Sequence, residues 1–517
     1  RYDHRAHRAH VFLGRGTLNA ALPISRSRGQ VITLYGPNNR PLAAATQSTV
    51  TPAYNSTGGG RATAGWNPGS DAINALVAGG GDPLRRQARD LDRRNAWAHN
   101  AIETFVSNAI GTGIVPRWKD PEARARLEPA WTEWVDQADA SGLCDFYGLQ
   151  SLAARTTLVA GECLARLRWR RPTDGLRVPL QIQLLEPEHL PLTKSEDLSE
   201  GRKVRWGIEF NPIGRRIAYH LYREHPGEPA LFYPQLDIAR VPAEEVVHLF
   251  KPLRPGQHRG QTWMAPVILQ LWETEQYDRA ELVRKGLCSM VAFFERDLDG
   301  NATALLSESG QTDTDGTPIQ GVEPGSYIRL PYGKTIESPQ FKDLDGMYPV
   351  FLAWQLRKAA AGLGITYEQF TGDYSQVNYS SARQAALEFR RRCETFQHLV
   401  MAFQFCRPLL KAFVEAASLA GVIDPRDYAR RPRAYLDCEW SPPKWPWVDP
   451  EKDLKAEILA MENLVKSRSQ VIKETAGVDR DSLDAEIEAD QESERTHGLI
   501  RHGSKSAQTS PAGGGTQ

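Results

Sequence analysis

A glycine–lysine pair at Gly333-Lys334, followed by Thr335, has the residue types of a phosphate-binding loop. Such a loop holds phosphates with backbone N–H groups, so it needs a further glycine five residues ahead and a helix that begins directly behind it. Ile328 stands where that glycine is required, and Pro339 follows the threonine closely. A hairpin turn is the better interpretation, and the sequence does not support ATP binding at this segment.

Metal ligation and nucleophilic catalysis have no better support. His4, His7 and His10 offer imidazoles, but no cysteine or carboxylate cluster nearby completes a ligand set, so we expect a mobile basic tail there. The six cysteines are scattered without a C-x-x-C pair, which argues against zinc and against a disulfide framework. Neither H-E-x-x-H nor G-x-S-x-G occurs. We therefore expect no catalytic residue, no metal and no cofactor; catalysis is unsupported rather than excluded.

A short polar loop is the segment best suited to touch another molecule. It consists of Gly372, Asp373, Tyr374, Ser375, Gln376, Val377, Asn378 and Tyr379. Its polar side chains can exchange hydrogen bonds with water as easily as with phosphate, and only one of them carries a fixed charge. A helix follows directly, and Ser380 or Ser381 can cap its first turn. The alternative interpretation is that the loop only links two helices.

Positive charge is local rather than general in this chain. Arg390-Arg391-Arg392 could bind phosphate, but three consecutive residues spread around a helix, which favours a solvated, ion-paired face. Across the chain 63 basic residues balance 63 acidic ones, which argues against a protein that coats DNA uniformly. Because no run of ~18 apolar residues occurs, we expect no transmembrane helix and no membrane partner.

The spacing of apolar residues predicts an α+β fold. Helical periodicity begins at Asp82 and recurs over 123–138 and 148–160, with a possible kink at Pro129. From 162 to 250, short alternating or apolar segments are separated by Pro, Gly and Asp. These segments predict strands of a mixed or antiparallel sheet.

Two further helices are predicted on either side of a turn-rich insert. The first covers about 262–296, with Gly286 as a candidate break, and the second covers 347–364. The insert at 297–345 has little helical pattern, and its stretch from Ser326 to Gln340 reads as a pair of strands.

The longest amphipathic helix covers 380–420, with a kink predicted at Pro408. One chain has more amphipathic helix than its own sheet can cover, so we assign part of the apolar surface to contacts between subunits. The assigned residues are Leu282, Phe396, Leu399, Phe403, Leu410 and Phe413. For the row from Phe396 to Phe413, a place in the chain's own core is the alternative.

Several short motifs lie in order along the chain. They are RQARDLDRRNAWAHNAI at Arg86–Ile102, GTGIVP at Gly111–Pro116, LLEP at Leu184–Pro187, HLFKPLRPGQHRGQTWMA at His248–Ala265, GDYSQVNYSSAR at Gly372–Arg383 and WVDPEKD at Trp447–Asp453. With these motifs the chain resembles the lambda-type family of bacteriophage portal proteins over roughly residues 82–495. One mild departure is Asp92-Arg93-Arg94-Asn95, where the family pattern leads us to expect two asparagines.

The resemblance implies a structural protein rather than an enzyme. It implies a dodecameric ring at one capsid vertex, through which double-stranded DNA passes without sequence recognition during packaging and ejection. It also implies docking of the terminase large subunit and then of a head–tail connector or adaptor, contacts with major capsid and scaffold proteins, and assembly in the host cytoplasm before incorporation in the virion. The alternative is a nucleic-acid-processing subunit such as a packaging motor or nuclease, against which the missing nucleotide loop and metal constellation argue.

The resemblance also divides the chain into named parts. These are an N-terminal arm (1–65), the first part of a wing (66–261), a stem helix region (262–296), a clip (297–345), a second stem helix (346–370), a tunnel loop (371–379), a long wing helix (380–421), a wing return (422–450), crown helices (451–497) and a disordered tail (498–517). The tunnel loop would carry the residues that face DNA in the channel. Arg279, Arg284 and Lys285 are possible basic residues of the stem or channel.

Overall fold

The computed structural model of this chain describes residues 69–228, 237–290, 293–296, 327–330, 347–445, 449–475, 477 and 480–498. The predicted arm at 1–65, with its three histidines, lies outside these ranges. So do nearly all of the predicted clip, including Gly333-Lys334, and the tail beyond Gly498.

The described residues form a mixed helical and sheet structure. The helices are α1 (Ile73–Arg94), α2 (Ala96–Ala109), α3 (Pro121–Val135), α4 (Phe146–Ala160), α5 (Ile268–Met290), α6 (Met347–Leu363), α7 (Tyr367–Thr371), α8 (Tyr379–Phe396), α9 (Arg407–Leu419), α10 (Pro425–Arg430), α11 (Pro432–Leu436), α12 (Pro450–Glu462), α13 (Arg468–Thr475) and α14 (Arg480–His497). The strands are β1 (Val115–Trp118), β2 (Glu162–Trp169), β3 (Leu180–Leu185), β4 (Glu196–Asp197), β5 (Lys203–Arg205), β6 (Ile208–Phe210), β7 (Arg216–Tyr222), β8 (Ile238–Pro242), β9 (Val246–Phe250), β10 (Phe293–Arg296), β11 (Tyr327–Leu330) and β12 (Cys438–Ser441).

The first helix begins well before the predicted start at Asp82. It runs through three glycines and Pro83, which intrinsic propensity disfavours in a helix. Val77, Gly81 and Arg85 nevertheless share one buried face at four-residue spacing, so tertiary packing overrides propensity here. The helix ends at Arg94, and the next residue, Asn95, caps α2, because its side chain accepts a hydrogen bond from the Ala98 N–H at 3.0 Å.

Two antiparallel sheets form the centre of the predicted wing. The first has three strands in the order β3-β2-β9, and the second has five in the order β4-β5-β6-β7-β8. Leu164 on β2 packs with Ile208 and Phe210 of the second sheet in one apolar cluster. The α+β expectation is confirmed at the level of a mixed fold with antiparallel sheets.

Aromatic side chains fill the larger core. Trp131 and Trp134 on α3 contact Phe413 on α9 with ring centroids 4.9 and 5.1 Å apart, and Phe146 on α4 joins them. Helix α3 is continuous through Pro129, so the helix does not end there.

Helices α5 and α6 form an antiparallel pair. Near the start of α5, the Gln270 side-chain amide donates to the Gln355 carbonyl at 2.6 Å, while further along Tyr277 packs on Tyr348 and Phe351 of α6. Helix α5 continues through Gly286, which costs only about 1 kcal/mol relative to alanine and does not break it. After α5 the chain enters β10, which pairs in parallel with β11.

The long helix predicted at 380–420 is present but irregular. A π-helix at Gln397–Cys406 separates α8 from α9, so the irregularity precedes the kink predicted at Pro408. Pro408 lacks an N–H and its ring crowds the carbonyl four residues earlier, which disturbs the turn on its N-terminal side.

The chain returns through α10 and α11 to β12, which pairs antiparallel with β1. Helices α12 to α14 follow, where crown helices are predicted. Within the described ranges, each helix is too short or too polar to cross a lipid bilayer.

Candidate functional site

The predicted tunnel loop connects α7 to α8 and is fixed at both ends. Gly372 closes α7 with a left-handed φ of 74°, a conformation that favours glycine, and its N–H donates to the Glu368 carbonyl at 2.7 Å. At the other end Asn378 caps α8, since its side-chain oxygen accepts from the Ser381 N–H at 2.9 Å. The cap is therefore Asn378 rather than Ser380 or Ser381, which instead donate their hydroxyl groups to the same oxygen.

Between these ends the loop presents side chains to solvent. Tyr374 is 63% exposed, and Gln376 is exposed beside it, whereas Val377 is half-buried. Asp373 accepts a hydrogen bond from the Ser375 N–H at 3.0 Å. Hydrogen bonds from Ser375 lower the pKa of the Asp373 carboxyl, so it stays ionised at neutral pH. The loop is thus short, anchored and polar at its tip.

Arg357 on α6 is a neighbour of the loop that the sequence did not indicate. Its guanidinium lies 4.7 Å from the Tyr367 ring centroid and 5.9 Å from that of Trp354. Its charge also contributes to the lowered pKa of Asp373. Nothing in its spacing could have marked it, because α7 and the loop return beside α6 only in the folded chain.

The three possible basic residues of the stem lie on α5 beside acidic partners. Arg279 contacts Glu275 at 2.5 Å, and Arg284 contacts Glu281 at 2.6 Å. Lys285 lies 3.9 Å from Glu281 and 5.2 Å from the Tyr348 ring centroid. These pairs leave little net positive charge along the helix.

The six residues assigned to the subunit interface divide into two groups. Phe396, Leu410 and Phe413 are buried in the chain's own core, so their assignment to the interface is corrected. Leu282, Leu399 and Phe403 are 66%, 56% and 60% exposed and stay candidates. Helical spacing alone predicts that Leu399 and Phe403 lie in the same row as the three buried residues. The π-helix, with its i→i+5 hydrogen bonds, changes which residues share a face, and sequence periodicity does not reveal it.

More apolar surface is uncovered on the helix pair. We call it the stem face; its residues are Leu269, Trp272, Leu282 and Val283 on α5 and Val350 and Trp354 on α6. All six side chains are about half exposed or more. Large apolar side chains left exposed on two neighbouring helices are candidates for a contact with another protein.

Motifs far apart in the sequence meet at one buried carboxylate, Glu162 on β2. It accepts hydrogen bonds from Arg259 at 2.6 Å, from His248 Nε2 at 3.0 Å and from the Gly260 N–H at 2.8 Å. Arg85 on α1 donates a further one at 3.2 Å. Gly260 is required here because a Cβ would overlap the carbonyl oxygen of Gly161. We call Glu162, Arg85, His248 and Arg259 the buried ion cluster.

The buried ion cluster holds the two sheets together. Arg259 also donates to the carbonyl oxygens of Leu190 and Trp206, each at 2.9 Å. Burial alone would raise the pKa of Glu162, but Arg259 and His248 hold it well below its usual range. All four side chains are buried, so the cluster is suited to fixing the two sheets rather than to meeting a substrate.

The chain matches a known family over most of its length. A family model described as phage portal protein, lambda family, matches residues 59–397. The chain belongs to this family. The match covers both antiparallel sheets, helices α5 and α6, the predicted tunnel loop and α8.

Individual relatives of this chain are also named as portal proteins. The chain is 28% identical over 428 residues to the probable portal protein of Halomonas phage phiHAP-1, covering 79% of this chain and 80% of that protein. It is 25% identical over 362 residues to portal protein B of Escherichia phage lambda, covering 62% and 66%. A chain in the neck of a native gene transfer agent particle, computed with twelve-fold symmetry, matches with a TM-score of 0.40 and 12% identity, over 75% of this chain and 92% of that one.

The predicted portal role is thereby confirmed. A portal protein is a structural component of the portal vertex of a virion. In the described part of this portal protein, nothing favours the alternative of a motor or nuclease subunit.

A cavity of about 520 Å³ lies beside the π-helix. Its lining includes Lys119 and Asp437, which pair at 2.9 Å, so these two charges neutralise each other. Burial raises the pKa of the Cys438 thiol in the lining to about 12, and a protonated thiol is a poor nucleophile. The cavity therefore does not offer an activated nucleophile in Cys438.

One cluster among the described residues offers metal-ligand atoms, at Glu186, Glu188 and His225. Arg89 contacts Glu186 at 3.1 Å and Glu188 at 2.7 Å. A cation would have to displace this arginine, so the arrangement favours an ion pair.

The buried ion cluster predicts a pH-dependent stability. Burial lowers the pKa of His248 to about 4, so the folded protein keeps it neutral, with Nε2–H donating to Glu162. In the unfolded chain the same histidine takes up a proton below about pH 6.5. Folding stability therefore falls as the pH drops from 6.5 to 4, by up to about 3 kcal/mol from this group.

Urea denaturation between pH 7.5 and pH 5 measures this effect. The pKa values of His189, His220 and His258 are also lowered, first by burial, and these groups act in the same direction. We therefore compare the wild type with His248→Gln, which keeps a donor for Glu162 but does not titrate. The variant should lose less stability over this range, by about 2 kcal/mol. An equal pH dependence in both proteins would contradict the assignment to His248.

Proposed function

We propose that this portal protein assembles into a dodecameric ring whose central channel carries double-stranded DNA into the capsid and later out of it. The observation that carries the proposal is the anchored, exposed loop at Gly372–Asn378, which reaches solvent between α7 and α8. Repeated once per subunit, such a loop forms a collar in which weak contacts multiply.

The stem face supports assembly into a ring. Trp272 and Trp354 expose large apolar side chains that a second copy of the helix pair could cover. The same holds for Leu399 and Phe403 on the π-helix. A closed ring lets every subunit bury the same surfaces.

The charge pattern supports a channel through which DNA slides. Each phosphate that a protein neutralises strengthens binding and its dependence on salt. The loop has one carboxylate, Asp373, and no basic residue, while Arg279 and Arg284 on α5 are already paired with carboxylates. DNA would be contacted without being held tightly and without being read.

The placement of the insert supports docking at one end of the stem. Lys285 near the end of α5 lies against Tyr348 at the start of α6, so the chain between them leaves and re-enters at the same end of the helix pair. We propose that this insert, the clip at 297–345, docks the terminase large subunit during packaging and the head–tail connector afterwards. The wing would contact major capsid and scaffold proteins during assembly in the host cytoplasm.

The loop is tested by changing its tip without its anchors. Tyr374→Ala combined with Gln376→Ala leaves Gly372 and the Asn378 cap in place, so α7 and α8 should fold normally. We expect normal rings and procapsids but about tenfold fewer stably filled heads, because a small loss per loop is multiplied around the ring. DNA retained in purified heads is the measurement.

The matched control is Leu143→Ala, which removes an apolar side chain that is 86% exposed and far from the loop in sequence. It should fill heads like the wild type. Wild-type packaging and retention in the Tyr374/Gln376 double variant would contradict a role of the loop in holding DNA, and the loop would then only link two helices.

A further inference from the structure

Three arginines form a row along one face of β2 and the residue directly after it. Arg166, Arg168 and Arg170 alternate with Leu167 and Trp169, which point to the opposite face. Side chains two residues apart on a strand are separated by roughly 6.6 Å. All three arginines are half-buried, so a rigid sheet holds them at regular intervals.

Neutral side chains, not carboxylates, orient this row. Arg168 Nε donates to Gln183 Oε1 at 2.8 Å, and Arg170 Nε donates to Gln181 Oε1 at 2.8 Å. In the described part of the chain none of the three arginines forms an ion pair with a carboxylate. The Nε of Arg166 is buried and has no hydrogen-bond partner there. Glutamine fixes a guanidinium without neutralising it, so the row keeps its full charge.

The row is electrostatically unfavourable by itself. Burial lowers the pKa of Arg168, and the like charges of Arg166 and Arg170 lower it further, while Glu245 opposes them. Other arginines of this protein are paired: Arg431 lies 2.8 Å from Asp427, and Arg468 lies 2.5 Å from Asp484. A bound anion would relieve the repulsion within the row.

We propose that the row Arg166, Arg168 and Arg170 binds the phosphate backbone of double-stranded DNA outside the channel. Evenly spaced charges suit a partner whose own charges repeat evenly, and the guanidinium fork matches phosphate oxygens. An acidic protein surface lacks that regular repeat. The choice of DNA as the polyanion rests on the proposed function; the position and charge of the row do not. Contacts of this kind fix position on DNA without reading its sequence.

The test uses assembled rings and a covalently closed circular duplex, which cannot thread a closed ring. Binding is measured over a range of salt concentrations for the wild type and for the triple variant Arg166→Gln, Arg168→Gln, Arg170→Gln. Each lost phosphate contact lowers the slope of log affinity against log salt by about 0.9, so we expect a decrease of up to about 2.7.

A second triple variant, Arg205→Gln, Arg431→Gln, Arg468→Gln, removes the same charge from arginines that are already ion-paired. Its slope should change by less than about 1. Equal decreases of the salt slope in the two triple variants would show that binding depends only on net charge and would overturn the proposal. Unchanged binding in the first triple variant would overturn it as well. Polyglutamate that displaces the duplex at equal charge would identify an acidic protein as the partner and also overturn it. A failure of the loop variants to alter DNA retention would count against the channel role alone.

Discussion

Phe403→Asp is expected to give a folded subunit that no longer forms rings, whereas Phe413→Asp is not expected to fold. The two phenylalanines lie ten residues apart on one long helix, but only the second belongs to the core. Phe403 is 60% exposed and its ring lies 5.6 Å from the Arg407 guanidinium. In an isolated subunit an aspartate at this position would remain in water.

Assembly changes the surroundings of position 403. If a neighbouring subunit covers Leu399 and Phe403, an aspartate there becomes an unpaired buried charge, which costs several kcal/mol per interface. Each ring repeats that cost at every interface. Phe413 is 0% exposed and packs between Trp131 and Trp134. Its removal costs about 3–5 kcal/mol before the charge is counted.

Circular dichroism and mass photometry separate the two outcomes. Phe403→Asp should keep the helical spectrum and show single subunits, while Phe413→Asp should lose the cooperative thermal transition. A milder pair, Phe403→Ala and Phe413→Ala, should show the same contrast. Normal rings from Phe403→Asp would place the subunit interface elsewhere.

Glu162→Gln is expected to destabilise the two sheets by about 3–5 kcal/mol, because the change leaves the buried Arg259 without a carboxylate partner and leaves Arg85 with only Asp82 and Glu188. Arg259 is 2% exposed and Arg85 is 3% exposed at the side chain, so water cannot replace the carboxylate. The substitution conserves volume, which isolates the effect of charge from that of packing. Chemical denaturation with hydrogen exchange on β2 and β9 is the measurement.

Glu209→Gln is the matched control, in the neighbouring five-stranded sheet. Glu209 on β6 is buried too, and it pairs with Arg240 at 2.7 Å and Arg202 at 3.3 Å. Those arginines reach solvent, so they can be hydrated when the charge is removed, and we expect a cost of about 1 kcal/mol or less. Equal costs for the two variants would contradict the account of Glu162 as the charge that holds the two sheets together.

Short motifs carried most of what the sequence could predict. GTGIVP, HLFKPLRPGQHRGQTWMA and GDYSQVNYSSAR led to the family, and the family match supports that assignment. Helical periodicity located α2 to α6, and alternating segments located most of the strands between 162 and 250, because amphipathic patterns are read directly from residue order. The division into stem, clip, loop and crown stays a prediction.

Other features depend on contacts that residue order does not contain. The start of α1 depends on the burial of Val77 and Gly81, which the local sequence pattern does not predict. Leu399 and Phe403 on the π-helix are exposed while Phe396, Leu410 and Phe413 are buried, so residues that regular spacing predicts to share one row do not share one face. Glu162 and Arg259 are 97 residues apart in sequence. Only the folded chain shows that Arg259, within the motif HLFKPLRPGQHRGQTWMA, pairs with this carboxylate.

The position of the loop in an assembled particle tests the central claim most directly. A cryo-electron microscopy reconstruction of purified rings would show each subunit's Gly372–Asn378 loop relative to the symmetry axis. We predict a dodecameric ring with an open channel, the loops at its narrowest point, and α5 and α6 of adjacent subunits in contact through the stem face. A ring whose loops lie on the outer rim, or an assembly without a central opening, would contradict the proposed function.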